Sequence, residues 1–508
     1  MSRRKRKRRC SEGVKKTDRF EENNRYFAGM SLIYGILFTI FCYKNLNGIT
    51  FLLHTAMTVG IAYLFFGRLG MSCRRRFLPY GAGILLLGAS TVMTDSGFLV
   101  LFNWVGIMLL FMAGMIRCFC GDEEWDFFSY MKEFILMGAK TVVYSFHIFH
   151  IRDWRKESME MWEESGQEEN KKKEKTGSVV TGIVIAALLL AVIFPLLASS
   201  DRVFAGIFAS IFRMPENLNV GSVVGMVCMT LFGVLIIYGV FCAFASGGCR
   251  KKEGKDRNYE AVTGITFTVI LAVVYVVYCC VQIYVLFLKN EGGLPDGVTY
   301  ASYAREGFWQ LLFVGIINLI LVISVVYAFQ KNRILKMILT VICGCTFVMT
   351  ISAMYRMFMY VHVYHMTFLR VLVLWFLILN LVMMTGVVIF IYKETFLLFR
   401  FITAVVSCGY ILLSFLHPDY LAASYNIRTM EQMTAADAVY MMETSSYDAA
   451  PALAKIDVGA LDYTDGLYTE SIVENIHRQY FRKAQQDIDS RSLREYNFSV
   501  WMASRISP

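Results

Sequence analysis

Three arginines lie close to the ends of long apolar segments, where a guanidinium group could bind an anion. Arg305 stands at the start of one such segment, Arg356 lies near the end of another, and Arg370 begins the next. A guanidinium offers planar hydrogen-bond donors to a carboxylate or a phosphate. A charge at the end of a membrane span also requires a partner, water or lipid headgroups. The three arginines therefore suggest a polar pocket for a carboxylate, a phosphate or a lipid headgroup.

Tyrosines accompany the arginines at helical spacing. Arg356, Tyr360 and Tyr364 are spaced i, i+4 and i+8, which places all three on one helical face. Thr367 can cap the following helix and places Arg370 in its first turn, where a cation opposes the helix dipole. We therefore expect a carboxylate or an anionic ligand beside Arg370.

Two carboxylates are predicted at the depth of Arg370 and are its candidate partners. Glu306 follows Arg305 directly, and Asp201 comes shortly after a long apolar run. We predict no catalytic residue. The full set of candidate ligand-binding residues is Asp201, Tyr303, Arg305, Glu306, Arg356, Tyr360, Tyr364 and Arg370.

A second interpretation of these side chains needs no ligand, because arginines and tyrosines at helix ends snorkel and form aromatic belts. Metal binding was also considered. Two His-x-x-His pairs, His147 with His150 and His362 with His365, have a spacing that could share a metal. Neither pair has the glutamate of an HExxH motif. We therefore predict no metal and no cofactor.

The elements that carry these residues are apolar. The chain of 508 residues is 56% hydrophobic and has a mean hydropathy of +0.50, whereas soluble chains are less apolar and lack repeated long apolar runs. The net charge of +10 comes from short basic clusters between these runs. That pattern encodes bilayer topology rather than a nucleic-acid site. The composition predicts an all-α, polytopic helical membrane bundle.

Eleven apolar runs come close to the roughly 20 residues with which a helix crosses the hydrocarbon. Four of these predicted transmembrane helices lie in residues 26–117, and seven lie in residues 178–416. The runs are 26–43, 49–66, 78–93, 98–116, 179–197, 220–245, 259–288, 307–329, 334–360, 368–392 and 396–416.

The loops between these runs differ in charge. With a cytoplasmic N-terminus, the inner segments hold 35 Lys and Arg, and the outer side before residue 417 holds 7. Because positive charge stays on the cytoplasmic side of a bilayer, the distribution predicts the N-terminus inside and the C-terminus outside. The basic cytoplasmic residues 1–25 are also predicted to contact anionic lipid.

Residues 118–177 form the longest predicted cytoplasmic segment. Its part 125–150 is apolar, but Lys132, Glu133 and Lys140 interrupt it. We therefore predict an amphipathic helix in the inner interface instead of a further span. A charged linker follows this helix.

Residues 417–508 form a tail of a different composition, with 13 acidic and 8 basic residues. Almost no linker separates the tail from the last run. It is predicted to be a small extracytoplasmic helical domain close to the arginine cluster. The predicted helices are 434–443, 446–456, 470–487 and 492–506, with Thr434, Ser446 and Ser492 as caps.

Six segments of the chain carry a resemblance to a known family. They are Leu197-Ala-Ser-Ser-Asp-Arg-Val-Phe204, Tyr303-Ala-Arg-Glu-Gly-Phe308 with Asn318, Tyr360 to Arg370, His417-Pro-Asp-Tyr-Leu-Ala-Ala-Ser-Tyr-Asn426, Tyr447-Asp-Ala-Ala-Pro-Ala-Leu453 and Arg494-Glu-Tyr-Asn497.

On these segments the chain, from about Phe98 onward, resembles an uncharacterised family of bacterial polytopic membrane proteins. The family is a domain of unknown function (number four-one-seven-three, with a sister family four-one-five-three). It usually has Tyr-Gly-Leu-Thr where this chain has Tyr364-His-Met-Thr367, so the turn is not carried over. The resemblance implies a bacterial cytoplasmic membrane protein with its motifs mostly outside, and it implies no known reaction.

Three functions remain open. The favoured one is a non-enzymatic sensor or scaffold that binds an anionic ligand, a lipid headgroup or a protein partner at the outer arginine and tyrosine cluster. The second is a transporter, since Pro195 and the short run 203–212 could form a discontinuous helix, although an interfacial helix after a normal helix end explains that run better. The third is a membrane-embedded transferase acting on a lipid-linked substrate. The short first outer loop, Lys44-Asn-Leu-Asn-Gly48, has no acid and disfavours it.

Overall fold

The protein is helical throughout the part of the chain that the computed structural model describes. Ten of the described helices are long and apolar enough to cross a membrane. Such segments form helices because lipid offers no partner to backbone polar groups. The predicted all-α polytopic membrane bundle is confirmed. The described residues are 16–45, 47–71, 73–120, 127–145, 220–246, 259–284, 300–393, 395–464 and 466–506, without the side chains of Arg74 and of residues 220–222, 224 and 300–309.

The ten helices match ten of the predicted spans. The remaining predicted span, 179–197, lies outside the described residues, together with Pro195 and the run 203–212. Hydropathy located these helices because each buries a long apolar segment in lipid or in the bundle.

The chain divides into two compact units. The first comprises Met1–Leu85, Ile107–Glu124 and Phe128–Lys251. Its described helices are α1 (Asn24–Cys42), α2 (Ile49–Arg68), the first part of α3 (Arg74–Met93), the second part of α4 (Gly97–Phe119), nearly all of α5 (Phe127–Ser145) and α6 (Val220–Ala245).

Helices α1 and α6 pack closely in the first unit. A Cβ atom on Gly233 would lie 3.0 Å from the Cα of Gly35, so the two glycines allow the backbones to approach. The hydroxyls of Thr39 and Thr230 hydrogen-bond across the same interface at 2.8 Å. Close backbone contact and an interhelical hydrogen bond together join these two spans.

Helix α5 contacts two spans of the first unit and is not one of the ten long apolar helices. The Tyr130 hydroxyl donates to Ala113 O of α4 at 3.1 Å, and Gly239 of α6 leaves no room for a Cβ against Thr141 O. The Phe119 and Phe244 rings, at the ends of α4 and α6, lie 5.3 Å apart. Both contacts of α5 therefore fall near the same ends of the two spans, and its place relative to the bilayer stays a prediction.

The second unit comprises Leu86–Gly106, Trp125–Phe127 and Lys252–Pro508. Helix α9 packs against α7, α8 and α10. The tail belongs to this unit and does not form a compact unit of its own. Besides the remaining parts of α3 and α4, the described spans of the second unit are α7 (Ala261–Ile283), α8 (Tyr300–Ala328), α9 (Arg333–Tyr364), α10 (Phe368–Tyr392) and α11 (Leu398–Phe415).

Polar side chains within these spans pair with one another. Asn318 of α8 accepts a hydrogen bond from the Tyr275 hydroxyl of α7 at 2.7 Å and donates to the Thr346 hydroxyl of α9 at 2.9 Å. Asn380 of α10 donates to the Thr350 hydroxyl of α9 at 3.2 Å. Because lipid offers no hydrogen bonds, such contacts hold membrane helices together. These hydrogen bonds fix how α7 to α10 pack against one another.

The tail follows the last span almost directly. Buried alanine, methionine and aromatic side chains form its core, and α15 contributes an apolar stripe at helical spacing that includes Val473, Tyr480 and Ala484. The tail helices are α12 (Pro418–Thr429), α13 (Ala435–Thr444), α14 (Ala450–Leu453), α15 (Glu470–Ser490) and α16 (Phe498–Arg505), with short 3-10 turns at Tyr447–Ala449, Val458–Ala460 and Leu493–Glu495.

Two of the three predicted tail caps are present. The Thr434 side chain accepts a hydrogen bond from Asp437 N, and Ser492 forms a capping box with Glu495. Ser446 makes no capping hydrogen bond, because its hydroxyl donates to Asp419 instead. Helix α12 was not predicted, since its sequence has little apolar periodicity. The predicted helix 492–506 is interrupted where Asn497 caps a new helix.

Candidate functional site

A cavity of about 510 Å³ lies in the second unit, between the ends of α9 and α10 and the tail helices α12 and α13. It is partly open to the surroundings. Its wall holds one arginine and one carboxylate among apolar and neutral side chains. We call it the Arg370 cavity, and it is lined by Met357, Tyr360, Met366, Thr367, Phe368, Leu369, Arg370, Val373, Asp419, Ala422, Ala423, Asn426, Tyr440, Met441, Thr444 and Ser445.

Arg370 reaches back from the first turn of α10 to the end of α9. Its Nη1 donates to the carbonyl oxygens of Tyr364 and His365, which are acceptors that the helix end leaves unpaired. Its guanidinium carbon lies 4.4 Å from the centre of the Tyr360 ring, within range of a cation–π interaction. The dipole at the C-terminal end of α9 therefore stabilises the positive charge of Arg370, whereas the dipole at the N-terminal end of α10 opposes it.

The partner expected for Arg370 is different in the structure. Among the described residues, backbone carbonyls and an aromatic ring contact its guanidinium, and no carboxylate forms an ion pair with it. The predicted partners were Asp201 and Glu306. Asp201 and the side chain of Glu306 lie outside the described residues. Thr367 begins α10 as expected but makes no side-chain capping bond.

The turn between α9 and α10 holds a residue in an unusual backbone conformation. His365 has φ 63° and ψ 170°, a region that is essentially restricted to glycine. The turn therefore carries local backbone strain at His365, and the His365 carbonyl is held by Arg370.

The predicted face of α9 is only partly gathered at the cavity. The rings of Tyr360 and Tyr364 lie 5.0 Å apart, and Tyr360 lines the cavity. Arg356 does not line it. Its Nη2 donates to the Gln282 side chain of α7 at 2.9 Å, and Gln282 also accepts from the Ser352 hydroxyl at 2.8 Å.

Arg356 and Arg370 are thus separated, which differs from the predicted common pocket. A buried guanidinium requires hydrogen-bond acceptors, and Arg356 finds one on a neighbouring span. Tyr303, Arg305 and Glu306 lie in the first two turns of α8, as expected from the sequence, but their side chains are outside the described residues.

Asn426 of α12 ties the tail to the α9–α10 turn. Its side-chain oxygen accepts from Met366 N at 2.6 Å, and its side-chain nitrogen donates to Met366 O at 2.9 Å. Asn426 is buried, so both bonds are protected from water. One amide therefore fixes the distance between α12 and the turn, and with it the width of the Arg370 cavity.

A second polar site joins the tail to the end of α3. Asp448 accepts hydrogen bonds from the Thr94 hydroxyl at 2.5 Å, from Asp95 N at 2.8 Å and from His417 Nδ1 at 3.1 Å. Arg491 of the tail binds Asp487 at 2.7 Å and lies 3.5 Å from Asp95. We call Thr94, Asp95, His417, Asp448, Asp487 and Arg491 the junction cluster.

The carboxylates of the junction cluster differ in acidity. Burial raises the pKa of Asp95 to about 6, with Asp448 and Asp487 adding to the shift and Arg491 opposing it. Burial also acts to raise the pKa of Asp448, but hydrogen bonds from His417, Thr94 and Asp95 N hold it below its usual value. Asp448 is therefore a permanent anion, whereas Asp95 gains a proton in mildly acidic solution.

Two further tail residues complete this connection. The Asn497 amide donates to Thr94 O at 2.7 Å, and the Ser499 hydroxyl donates to Met93 O at 2.6 Å. Both bonds satisfy carbonyl oxygens at the end of span α3, which receive no hydrogen bond from an N–H of their own helix. Residues of the tail thus cap the C-terminal end of a membrane helix.

Residue chemistry alone did not single out the residues that join tail and spans, namely Asn426, Asp448, His417 and Asn497. A signal for them was nevertheless present. All four fall within the segments that carry the family resemblance.

Comparison with known proteins supports one assignment. The chain matches no curated protein and no solved structure. The profile described as "Domain of unknown function (DUF4153)" matches residues 81–456, which is more than half of the chain. On its motifs the chain was expected to belong to family four-one-seven-three, with four-one-five-three as the sister family, and the match does not support that preference. The chain, a multi-pass membrane protein by its long apolar helices, belongs to the DUF4153 family.

Proposed function

We propose that this protein is a membrane-integral binding protein that holds an anionic amphiphile in the Arg370 cavity. The observation that carries the proposal is the composition of the cavity wall. Among the described residues Arg370 is the one cation in that wall, beside apolar side chains such as Met357, Leu369 and Val373. Charge-assisted bonds to Arg370 suit a carboxylate or phosphate, and the apolar wall suits an alkyl chain.

Arg370 retains donors for such a ligand. Nη1 is occupied by the carbonyls of Tyr364 and His365. A guanidinium has five N–H donors, and in the described residues none of those on Nη2 and Nε has a protein acceptor. The contacts to the end of α9 fix the guanidinium without neutralising its full charge. A preorganised, uncompensated cation is what anion binding requires.

The position of the cavity supports an amphiphile over a fully water-soluble anion. Tyr360 lies near the end of α9 and Arg370 in the first turn of α10. Both helices are long enough to span a bilayer, so the cavity is at the level of a membrane surface. Helices α12 and α13 cover it on the tail side. A headgroup at Arg370 would leave its alkyl chain beside the spans.

Asp419 restricts the charge of the ligand. It lies in the cavity wall, and burial raises the pKa of its carboxyl although Ser446 donates to it. A second negative charge on the ligand would face this carboxylate. The cavity therefore favours a single anionic group near Arg370.

We favour binding over catalysis because the amide and the carboxylate of the cavity wall are both engaged in structural contacts. The Asn426 amide holds Met366, and Asp419 holds Ser446. Arg370 is the charged group of the described wall that keeps unused donors. The docked tail likewise supports the sensor or scaffold interpretation, in which occupancy of the cavity is reported through α12.

The test is ligand-induced thermal stabilisation of the purified protein in an uncharged detergent. Decyl phosphate and decanoate are compared with decyl glucoside and with inorganic phosphate. We expect the two anionic amphiphiles to raise the melting temperature and the two controls to leave it unchanged. In Arg370→Gln the dissociation constant for decyl phosphate should rise about tenfold or more, since a hydrogen bond to a charged group contributes about 1.5–3 kcal/mol.

Arg428→Gln is the matched control, because Arg428 is an exposed arginine on α12 outside the cavity. It removes the same charge and should leave the affinity unchanged. Equal affinities in the wild type and Arg370→Gln would refute the proposal. Stabilisation by inorganic phosphate as strong as that by decyl phosphate would show that the site binds free anions instead.

A further inference from the structure

We propose that helix α16 lies on the bilayer surface at the tail side and places Phe498 and Trp501 among the lipid headgroups. The tail would then hold the membrane through its own last helix as well as through its contacts with the spans. The proposal concerns a surface outside the Arg370 cavity and does not depend on the proposed ligand.

The depth of α16 follows from its contacts with span α3. Asn497, which caps α16, donates to Thr94 O, and Ser499 in its first turn donates to Met93 O. Met93 is the last residue of α3. Helix α16 therefore begins within hydrogen-bond distance of the end of a membrane span, at the level where hydrocarbon gives way to headgroups.

One face of α16 is aromatic and exposed. Phe498, Trp501 and Arg505 are spaced i, i+3 and i+7, so they share a face. Phe498 is 38% exposed and Trp501 is 36% exposed. The opposite face is buried in the tail through Val500 and Ala503. Both faces of the helix are therefore largely apolar, and the large aromatic rings are on the face that points away from the tail.

The exposed side chains are arranged as a continuous surface. The Phe498 and Trp501 rings lie 5.7 Å apart, and the guanidinium of Arg505 lies 5.9 Å from the centre of the Trp501 ring. Leu493, just before the helix, is 88% exposed and extends the apolar edge. Exposure of these apolar groups to water is unfavourable, so we expect this surface of α16 to be covered by another apolar surface.

Lipid is the partner that fits this composition and position. Tryptophan combines an apolar ring with an N–H donor and is enriched at membrane interfaces. An arginine beside it can bind lipid phosphate. Helices with aromatic residues on one face and cations at the edge lie in the interface plane. The observed depth brings the face of α16 to that plane.

The neighbouring helix α15 provides an internal comparison. Its exposed side is charged, and Glu474 and Arg478 form an ion pair there. Their side chains remain roughly half exposed, as expected for a helix face in water. The pair of exposed aromatic rings thus distinguishes α16 from the neighbouring helix α15.

The test measures the surroundings of Trp501 by fluorescence in nanodiscs. Emission assigned to Trp501 is the difference between the wild type and Trp501→Tyr. We expect phosphatidylcholine brominated near the headgroup to reduce this emission at least twofold relative to unbrominated lipid. We also expect iodide in the buffer to leave it nearly unchanged.

Quenching by iodide would place Trp501 in water, and quenching by neither agent would place a protein partner over it. Either result overturns the proposal. A second readout is the rate at which protease removes the tail. Lipid should protect the wild type more than detergent does, and the double variant Phe498→Ser with Trp501→Ser should lose this difference. Ile472→Ser, at an exposed apolar position on α15, should keep it.

Discussion

Two arginines of the second unit have different kinds of partner. Arg491 in the junction cluster binds Asp487 and faces Asp95, so carboxylates surround its charge. Arg370 is held by carbonyl oxygens and the Tyr360 ring, which orient it and leave its net charge in place. The first arrangement is suited to joining parts of the chain, and the second is suited to receiving an anion.

The comparison shows why an arginine near a membrane surface does not by itself indicate a binding site. The sequence places both arginines close to helix ends, but only their partners distinguish them. Arg356 adds a third case, in which a buried guanidinium is bound by the neutral Gln282 within the bundle. The partner, and not the residue type, decides between structure and binding.

The largest effect is expected from removing the central carboxylate of the junction cluster. Asp448→Ala should lower the free energy of unfolding by about 3–5 kcal/mol, because it leaves buried donors of Thr94, Asp95 and His417 without an acceptor. Unfolding in mixed micelles with increasing SDS measures this loss. The tail should also be cleaved faster by protease.

Asp489→Ala is the control, since Asp489 is an exposed acid that interacts with Gln485. It should change the free energy of unfolding by less than about 0.5 kcal/mol. If Asp448→Ala were equally mild, the junction cluster would not be the structural site of the comparison.

A smaller effect is expected from pH, and in the junction cluster it acts through Asp95. The pKa of Asp95 is raised from 3.8 to about 6. The folded state therefore binds more protons than the unfolded state between these values. The free energy of unfolding should fall as pH rises through this window, by about 1–3 kcal/mol in total.

Asp95→Asn tests this assignment because it keeps the shape and removes the titration. SDS unfolding of both proteins between pH 4 and pH 7 gives the difference. The decline with pH should be shallower in the variant. The lowered pKa of Asp448 acts only below about 3.8, where its contribution is lost as pH falls, so it leaves this window unaffected. Parallel pH profiles would contradict the assignment.

The smallest effect is expected at the turn beside Arg370. His365→Gly should raise the free energy of unfolding by about 1 kcal/mol, because glycine adopts φ 63° and ψ 170° without strain. The gain is reduced by the greater freedom of glycine in the unfolded chain. His362→Gly is the matched control within helix α9, where glycine should instead cost about 1 kcal/mol. A destabilising His365→Gly would show that the imidazole itself supports the turn.

The sequence by itself was sufficient to predict the class of the fold and the position of ten described spans. Apolar runs and turn residues are local, and lipid forces each run into a helix. Local spacing also predicted the neighbouring Tyr360 and Tyr364 rings and the caps at Thr434 and Ser492. These features depend on residues only a few positions apart.

Only the tertiary structure decided which polar groups meet. Asp448 binds Thr94, Asn497 reaches the same residue, and Asn426 holds Met366, all across long stretches of chain. Arg356 donates to Gln282, and Arg370 donates to the carbonyls of Tyr364 and His365. Residue spacing did not indicate either partner. A hydrogen bond depends on distance in space, and periodicity along a helix gives only the face from which a side chain starts.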